Sequence, residues 1–387
     1  MNKQKLFVIT LIVIFALIAL AGCGQKEATE NGDNSTGTSA DKIYIGWVAP
    51  LTGACANDGQ QMQNGAQLAV NEINAAGGIN GKQVELVCQD DKSDPKEAAN
   101  IATKFVSDDR LVAVLGNYNS SCVLSGAPIY NEAKIPMVHV GTSPVITTEH
   151  GPYLFRISVT DAFQGEFVTK WLFEEGNKKP AILYENSDYG RGLMDTVEKQ
   201  VASLGGTVAD KETYELGQTK DFTGLLTKIK ASGADSIFIC GLYTEGALIA
   251  KQMQGLGISL PLFGTDGLYE QSLIDLAGQA AEGMKVSGLL LPSDPDQKIQ
   301  DFVKNYQGAY GKVPGTYATF DYDAMNLLAQ VITAAGADRQ KIMDYLAKMP
   351  EAFVGVSGQV TFDENNDAVR TAMKKLTVKD GKWQIAE

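Results

Sequence analysis

The chain has 387 residues, 20% of them charged, with a net charge of −13, two histidines and five cysteines. An acidic balance of this size argues against nucleic acid or an anionic lipid surface as the partner. So few histidines and cysteines, with no CxxC spacing, leave no zinc constellation.

Lys3 and Lys5 precede an apolar run from Leu6 to Ala21, closed by Leu20-Ala21-Gly22-Cys23. The run is short for a membrane span, and its flanks are those of a secretory signal peptide. Small residues directly before a cysteine look like the bacterial lipoprotein cleavage box. Residues 1–22 are therefore expected to be removed and Cys23 to be lipidated. Residues 23–41, rich in Glu, Asn, Ser, Thr and Gly, have nothing to bury and read as a flexible tether. The expected location is extracytoplasmic, lipid-anchored to the bacterial cell membrane, either periplasm-facing or at the cell surface. About 345 residues follow the tether, enough for two α/β lobes with cores of their own.

The first lobe opens with an apolar strand, Ile43 to Ala49, and a loop from Pro50 to Gly59. The helix after it, Gln60 to Ala75, carries Met62, Ala66, Ala69, Val70 and Ile73 on one face, which is core spacing. Asp58, just before that helix, either points toward a ligand or is a helix-capping or solvated aspartate. Val84 to Val87 reads as the second strand. Of the acids that follow, Asp94 with Pro95 is expected to cap the next helix rather than to join Asp90 and Asp91 in a cation site. Leu111 to Leu115 is a third strand, ending in Gly116 and the polar loop Asn117 to Ser121, before a helix near Cys122 to Glu132. A short strand, Pro136 to Val140, then ends in Gly141-Thr142-Ser143. In an open parallel sheet, loops after the strand carboxyl ends line the ligand crevice, where hydroxyls and the free N–H groups of a helix N-terminus hold an anion. Cys55 and Cys122 fall near this crevice and are either bridged or buried thiols.

The second lobe repeats the pattern. Ala181 to Glu185 is a strand, followed by a helix over Gly190 to Leu204; Ser236 to Cys240 is another, with a helix through Glu245 to Gln254. A strand starting at Pro261 leads to Gly264-Thr265-Asp266. The spacing from Gly116 to Pro136 equals that from Gly241 to Pro261, 20 residues. The glycine pair Gly77-Gly78 stands before the first as Gly205-Gly206 does before the second, so the two halves read as copies of one design. Facing each other, they set a hydroxyl-rich anion seat opposite a loop bearing Asp266, which suits a ligand with a carboxylate and an ammonium.

Thr52-Gly53, Gly65, Asn71-Glu72-Ile73-Asn74, Gly77-Gly78-Ile79-Asn80-Gly81-Lys82 and Asp90-Asp91 with Asp94-Pro95 resemble the leucine/isoleucine/valine-binding proteins, the substrate-binding components of branched-chain amino acid ABC transporters. The resemblance implies an α/β fold of two Rossmann-like lobes with parallel central sheets joined by three hinge crossings, the type I periplasmic binding protein. The domain would run over 42–387, with lobe one at about 42–158 and 293–354 and lobe two at about 159–292 and 355–387. Crossings are expected at Thr160 to Gly165, at Gly288 to Pro292 and near Phe353 to Thr361, with Val360 to Asp363 and Lys375 to Lys379 as terminal strands of lobe two.

By the same resemblance, Asn119 and Ser120 hold the ligand carboxylate. Val140, Gly141 and Thr142 reach the ammonium and carboxylate, Tyr189 closes over the ligand, and Asp266 receives the ammonium. Either Leu242 or Tyr243 reaches the ligand from the second lobe. Leucine-binding members carry a bulky residue where this chain has Asp58, so a polar amino acid, a small amide or urea, or an aromatic acid stays open as ligand, as does a sensory module. The implied partners are an amino acid, ABC permease subunits and the membrane through the N-terminal lipid, with the protein a monomer and no cofactor or metal. No GxSxG elbow, P-loop or dinucleotide glycine fingerprint supports an enzyme. Phe163 either touches ligand or packs in the core, and Asp321, Tyr322 and Asp323 are taken as structural.

Overall fold

The computed structural model describes residues 42–149 and 151–386. The expected signal peptide, the tether and Cys23 lie outside the described residues.

Five parallel strands form the first sheet: β1 (Lys42–Ala49), β2 (Gln83–Asp90), β3 (Leu111–Gly116), β4 (Met137–His139) and β5 (Leu154–Arg156), in the order β2-β1-β3-β4-β5. Helices cover both faces, so the strands are near-continuous apolar runs rather than alternating ones. Ile45, Trp47 and Val48 of β1 and Ala113, Val114 and Leu115 of β3 are all fully buried. The helices between these strands are α1 (Ala56–Ala75), α2 (Pro95–Val106), α3 (Ser120–Glu132) and the short α4 (Pro144–Glu149). Asp94 begins α2 as expected, its carboxylate accepting from the Lys96 N–H at 2.8 Å with Pro95 in the first turn.

The second sheet has seven strands. β6 (Pro180–Glu185), β7 (Asp210–Tyr214), β8 (Ser236–Cys240), β9 (Leu262–Gly264) and β10 (Lys285–Gly288) are parallel and run β7-β6-β8-β9-β10, the order of the first sheet over again. The equal spacings in sequence thus correspond to equivalent third and fourth strands. Among its helices are α5 (Asp161–Glu174), α6 (Asp188–Ser203), α7 (Thr223–Ala231), α8 (Tyr243–Gly255) and α9 (Gln271–Ala277). The chain then returns to the first lobe through α10 (Gln297–Tyr310), α11 (Thr316–Ala335), which packs along α1, and α12 (Arg339–Ala347).

The C-terminal segment departs from expectation. β11 (Phe353–Gly355) and β12 (Gly358–Val360) form a separate antiparallel hairpin, so the stretch from Val360 to Asp363 is not a strand of the second sheet. Residues 366–368 then pair with Arg156 at the edge of the first sheet. Only after Ala368 does the chain cross to β13 (Lys374–Lys379) and β14 (Lys382–Ile385), which close the second sheet antiparallel to β10 and to each other. The crossing lies beyond Phe353 to Thr361 because Asp323 holds that hairpin against α11, accepting from the Val356 and Ser357 N–H groups at 2.8 and 2.7 Å.

Candidate ligand-binding site between the lobes

The site starts where β3 stops. Gly116 has φ +107°, and a β-carbon there would sit 1.8 Å from the Val48 carbonyl oxygen, so only glycine lets the chain turn into Asn117–Asn119. Asn117 pins the loop by donating to Asp91 at 2.7 Å. Asn119 precedes α3 in extended conformation without capping it through its side chain, so the first N–H groups of the helix keep no side-chain acceptor. Ser120 is buried at that N-terminus. Its hydroxyl oxygen accepts from the Ser143 N–H at 3.2 Å, which leaves the hydroxyl proton free to donate. Amide hydrogens and a hydroxyl together make an anion seat.

The second loop is clamped from behind. Arg156, fully buried, donates to the carbonyls of Thr142 (3.1 Å) and Ser143 (3.0 Å), and its Nε lies 3.2 Å from the Asp367 carboxylate. The Asp161 N–H also donates to the Thr142 carbonyl, at 2.9 Å. With its backbone held from one side, Thr142 lines the space between the lobes.

From the opposite lobe come Tyr189, in the first turn of α6, and Asp266, after β9. The Tyr189 and Thr265 hydroxyls are 3.0 Å apart. Asp266 is 2% exposed, and neither carboxyl oxygen accepts a hydrogen bond of ordinary geometry. Burial pushes its pKa up to about 6, held from going further by the Gln164 amide, the Gly267 N–H and the Tyr317 hydroxyl. Asp161 is pushed by burial up to about 7; Gln164, which donates to it at 2.8 Å, works against the shift, and the Asp266 charge adds to it. The lobes touch across this gap. Gln61 of α1 donates to Glu270 at 3.1 Å, and the Asp188 N–H donates to the Ser121 hydroxyl at 3.3 Å, so the arrangement is a closed one.

Between them lies a small cavity lined by Tyr118, Asn119, Ser120, Val140, Thr142, Tyr189, Leu242 and Tyr317. Six of these are residues named from the sequence. Gly141 lies behind the wall, wedged between Val123, Ile146 and Ser120. Leu242 reaches the cavity, whereas Tyr243 is turned toward Asp58 and Glu270, whose charges help push its hydroxyl up to about 12 after burial itself. Asp58 neither caps α1 nor meets solvent: it is 0% exposed and both its oxygens are without a hydrogen-bond partner.

Sequence reasoning missed Tyr118, Tyr317, Asp161, Gln164 and Glu270. Tyr118 sits inside the crevice loop already singled out, and Asp161 and Gln164 flank Phe163 in the first crossing, where only Phe163 was weighed. Phe163 itself is half-buried and outside the cavity wall. Tyr317, in the first turn of α11, carried no local signal. The four cysteines among the described residues are free thiols, with Cys55, Cys122 and Cys240 buried. Asp321 accepts from the Trp47 indole at 2.7 Å and Tyr322 donates to Glu72 at 2.6 Å, which with Asp323 on its hairpin gives all three a structural partner.

The family model described as periplasmic binding protein matches residues 42–382. A Leu/Ile/Val-binding protein homolog from Brucella suis is 32% identical over 334 residues, covering 86% of this chain and 89% of its own. The leucine-, isoleucine-, valine-, threonine-, and alanine-binding protein of Pseudomonas aeruginosa is 31% identical, covering 92% of each chain. Among solved structures, the branched-chain amino acid transporter substrate binding protein LivJ from Streptococcus pneumoniae, in complex with isoleucine, superimposes with a TM-score of 0.82 at 32% identity, over 90% of this chain and 99% of that one. With the repeated β2-β1-β3-β4-β5 order and a cleft between its two sheets, this chain belongs to the periplasmic binding protein family, alongside the Leu/Ile/Val-binding proteins.

Proposed function

We propose that the protein binds a free α-amino acid between its lobes and presents it, in the closed form, to the permease of an ABC importer. The observation that carries this reading is an anion seat, Ser120 at the start of α3 with Thr142 in the loop after β4, on one side of a small cavity, and the buried carboxylate of Asp266 beside Tyr189 and Tyr317 of the same cavity wall. The relatives are named for amino acids, which supports the same ligand class here.

Each group has a task in that scheme. The amino acid docks on the first lobe, its carboxylate taking the Ser120 hydroxyl proton and the α3 amide hydrogens. Closure brings Tyr189 and Asp266 onto its other side and expels water, which strengthens each charged contact. Asp266 receives the ammonium, and the tyrosines exclude solvent. Lipid on Cys23 would keep the monomeric carrier at the extracytoplasmic membrane surface, within reach of its permease, through the 23–41 tether.

A thermal-shift screen of the twenty amino acids, each beside its N-acetyl and methyl ester forms, tests the reading. At a hundred times Kd a ligand stabilises by about 2.7 kcal/mol. At least one free amino acid is expected to raise Tm while both of its blocked forms fail. A blocked form that works equally well, or no response to any amino acid, contradicts it.

A further inference from the structure

Resting on that reading, we infer that the ligand is an amino acid with a cationic side chain, an ammonium or guanidinium received by Asp58 and Glu270. The two acids come from opposite lobes. Asp58 is in the first turn of α1, and Glu270 follows the short turn after Asp266; Gln61, one turn further along α1, bridges to Glu270. Asp58 is fully buried with both oxygens unpartnered, and Glu270 is buried with Oε1 unpartnered. Neither forms an ion pair with any lysine or arginine among the described residues.

The local structure is built to bring these acids together. Gly315, just before α11, donates its N–H to Gln61 at 2.8 Å. A β-carbon at 315 would come within 2.6 Å of Glu270 Oε1 and 2.3 Å of Gln61 Oε1, so any larger residue there would displace these two side-chain ends. Tyr118 and Tyr317, packed edge-on with ring centroids 4.7 Å apart, line the cavity next to this pair. The Tyr118 hydroxyl is beside Asp58, and Tyr317 is within the field of Asp266, Asp58 and Glu270 alike. All three acids, Asp266, Asp58 and Glu270, therefore lie near Tyr317 of the cavity wall rather than in it.

Closure is what makes this selective. Bringing two carboxyls from opposite lobes into a dry interface sets like charges against each other and strips both of water, which is unfavourable unless a proton or a cation joins them. Burial and the Glu270 charge hold Asp58 well above the usual carboxylate range, and burial pushes Glu270 up to about 7. A cationic side chain replaces that shared proton, whereas a leucine side chain offers nothing to either oxygen. The tyrosine faces suit a cation as well. A metal ion is a poor substitute, since no three His, Cys, Asp or Glu groups among the described residues converge to hold one. The other titratable neighbours, Cys55, Tyr118, Tyr243, Tyr269, Tyr306 and Tyr317, are all raised above their ordinary values and stay neutral near pH 7.

The test is calorimetric titration at pH 7.5 of the wild type, Asp58→Leu, Glu270→Gln and Asp266→Asn with lysine, ornithine, arginine, glutamine and leucine. In the wild type, at least one cationic amino acid should bind at least tenfold tighter than leucine and glutamine. Asp58→Leu should lose that preference by at least tenfold; if it fails to fold, Glu270→Gln should do the same. Asp266→Asn should weaken every amino acid alike. Leucine or glutamine binding as tightly as the cationic ligands overturns the inference while leaving amino-acid binding intact. Binding of none of them, where the wider screen finds another amino acid, overturns this inference alone; failure of all twenty overturns the proposed function itself.

Discussion

Replacing Asp266 with Asn removes one charge and almost no volume from a site that is 2% exposed. Burial raises the carboxyl to about 6, still below pH 7, so it meets the ammonium in its charged form. Breaking a buried ion pair outright costs about 3–5 kcal/mol. Asparagine keeps an oxygen acceptor, so about 2–3 kcal/mol is the reasonable loss, or roughly 30- to 150-fold in Kd. Isothermal titration at pH 7 with the best amino acid from the screen reads it directly. The ligand-free variant should be as stable as the wild type or more so, because the fold no longer buries an unpaired carboxylate. Affinity within about threefold of the wild type, with Tm retained, would refute the reasoning.

Ser120→Ala removes the proposed donor to the carboxylate and the acceptor of the Ser143 N–H; a loss of about tenfold in affinity is expected by calorimetry, and none would remove Ser120 from the seat. Arg156→Met leaves Asp367 and two loop carbonyls without their buried partner, so urea unfolding should show a loss of about 3–5 kcal/mol; a change under about 1 kcal/mol would mean the clamp is dispensable. The pH dependence follows from the raised carboxyls: Asp266 at about 6, Asp161, Glu270 and Asp321 at about 7, and Glu185 at about 8, each raised first by burial. Groups raised in the fold contribute stability that is fully present below the ordinary carboxylate range and is lost as pH rises through 6 to 8. Ligand-free Tm should therefore fall between pH 5 and 8.5 by at least about 2 °C, and a rise over that interval would contradict the burial of these groups. Cys23→Ser should release the protein from the membrane fraction, and unchanged membrane association would count against the lipid anchor.

Strand runs were legible because both sheets are covered on both faces and their residues are apolar without interruption, as Ser236 to Cys240 illustrates with every residue buried. The placement of Ser120, Thr142 and Asp266 in loops at strand ends was legible, because spacing locates those loops in a doubled parallel design. What stayed hidden depends on distant segments meeting. Tyr317 and Glu270 enter only when α11 and the turn after β9 are brought to α1, and nothing next to them in sequence announces it. The hairpin of β13 and β14 did leave a mark, the Asp380-Gly381 turn between two β-rich runs, and Lys382–Ile385 could have been read from it. Asp58 carried two readings, and burial decides against capping: a capping carboxylate would accept from the helix, and this one accepts from nothing.

The central claim is the orientation of the ligand, and a crystal structure of the complex with the tightest-binding amino acid tests it most directly. The α-carboxylate should lie on the Ser120 hydroxyl and the first amide hydrogens of α3, beside Thr142, with the α-ammonium within hydrogen-bond distance of Asp266. A ligand bound end for end, or lodged away from both Ser120 and Asp266, would contradict the account.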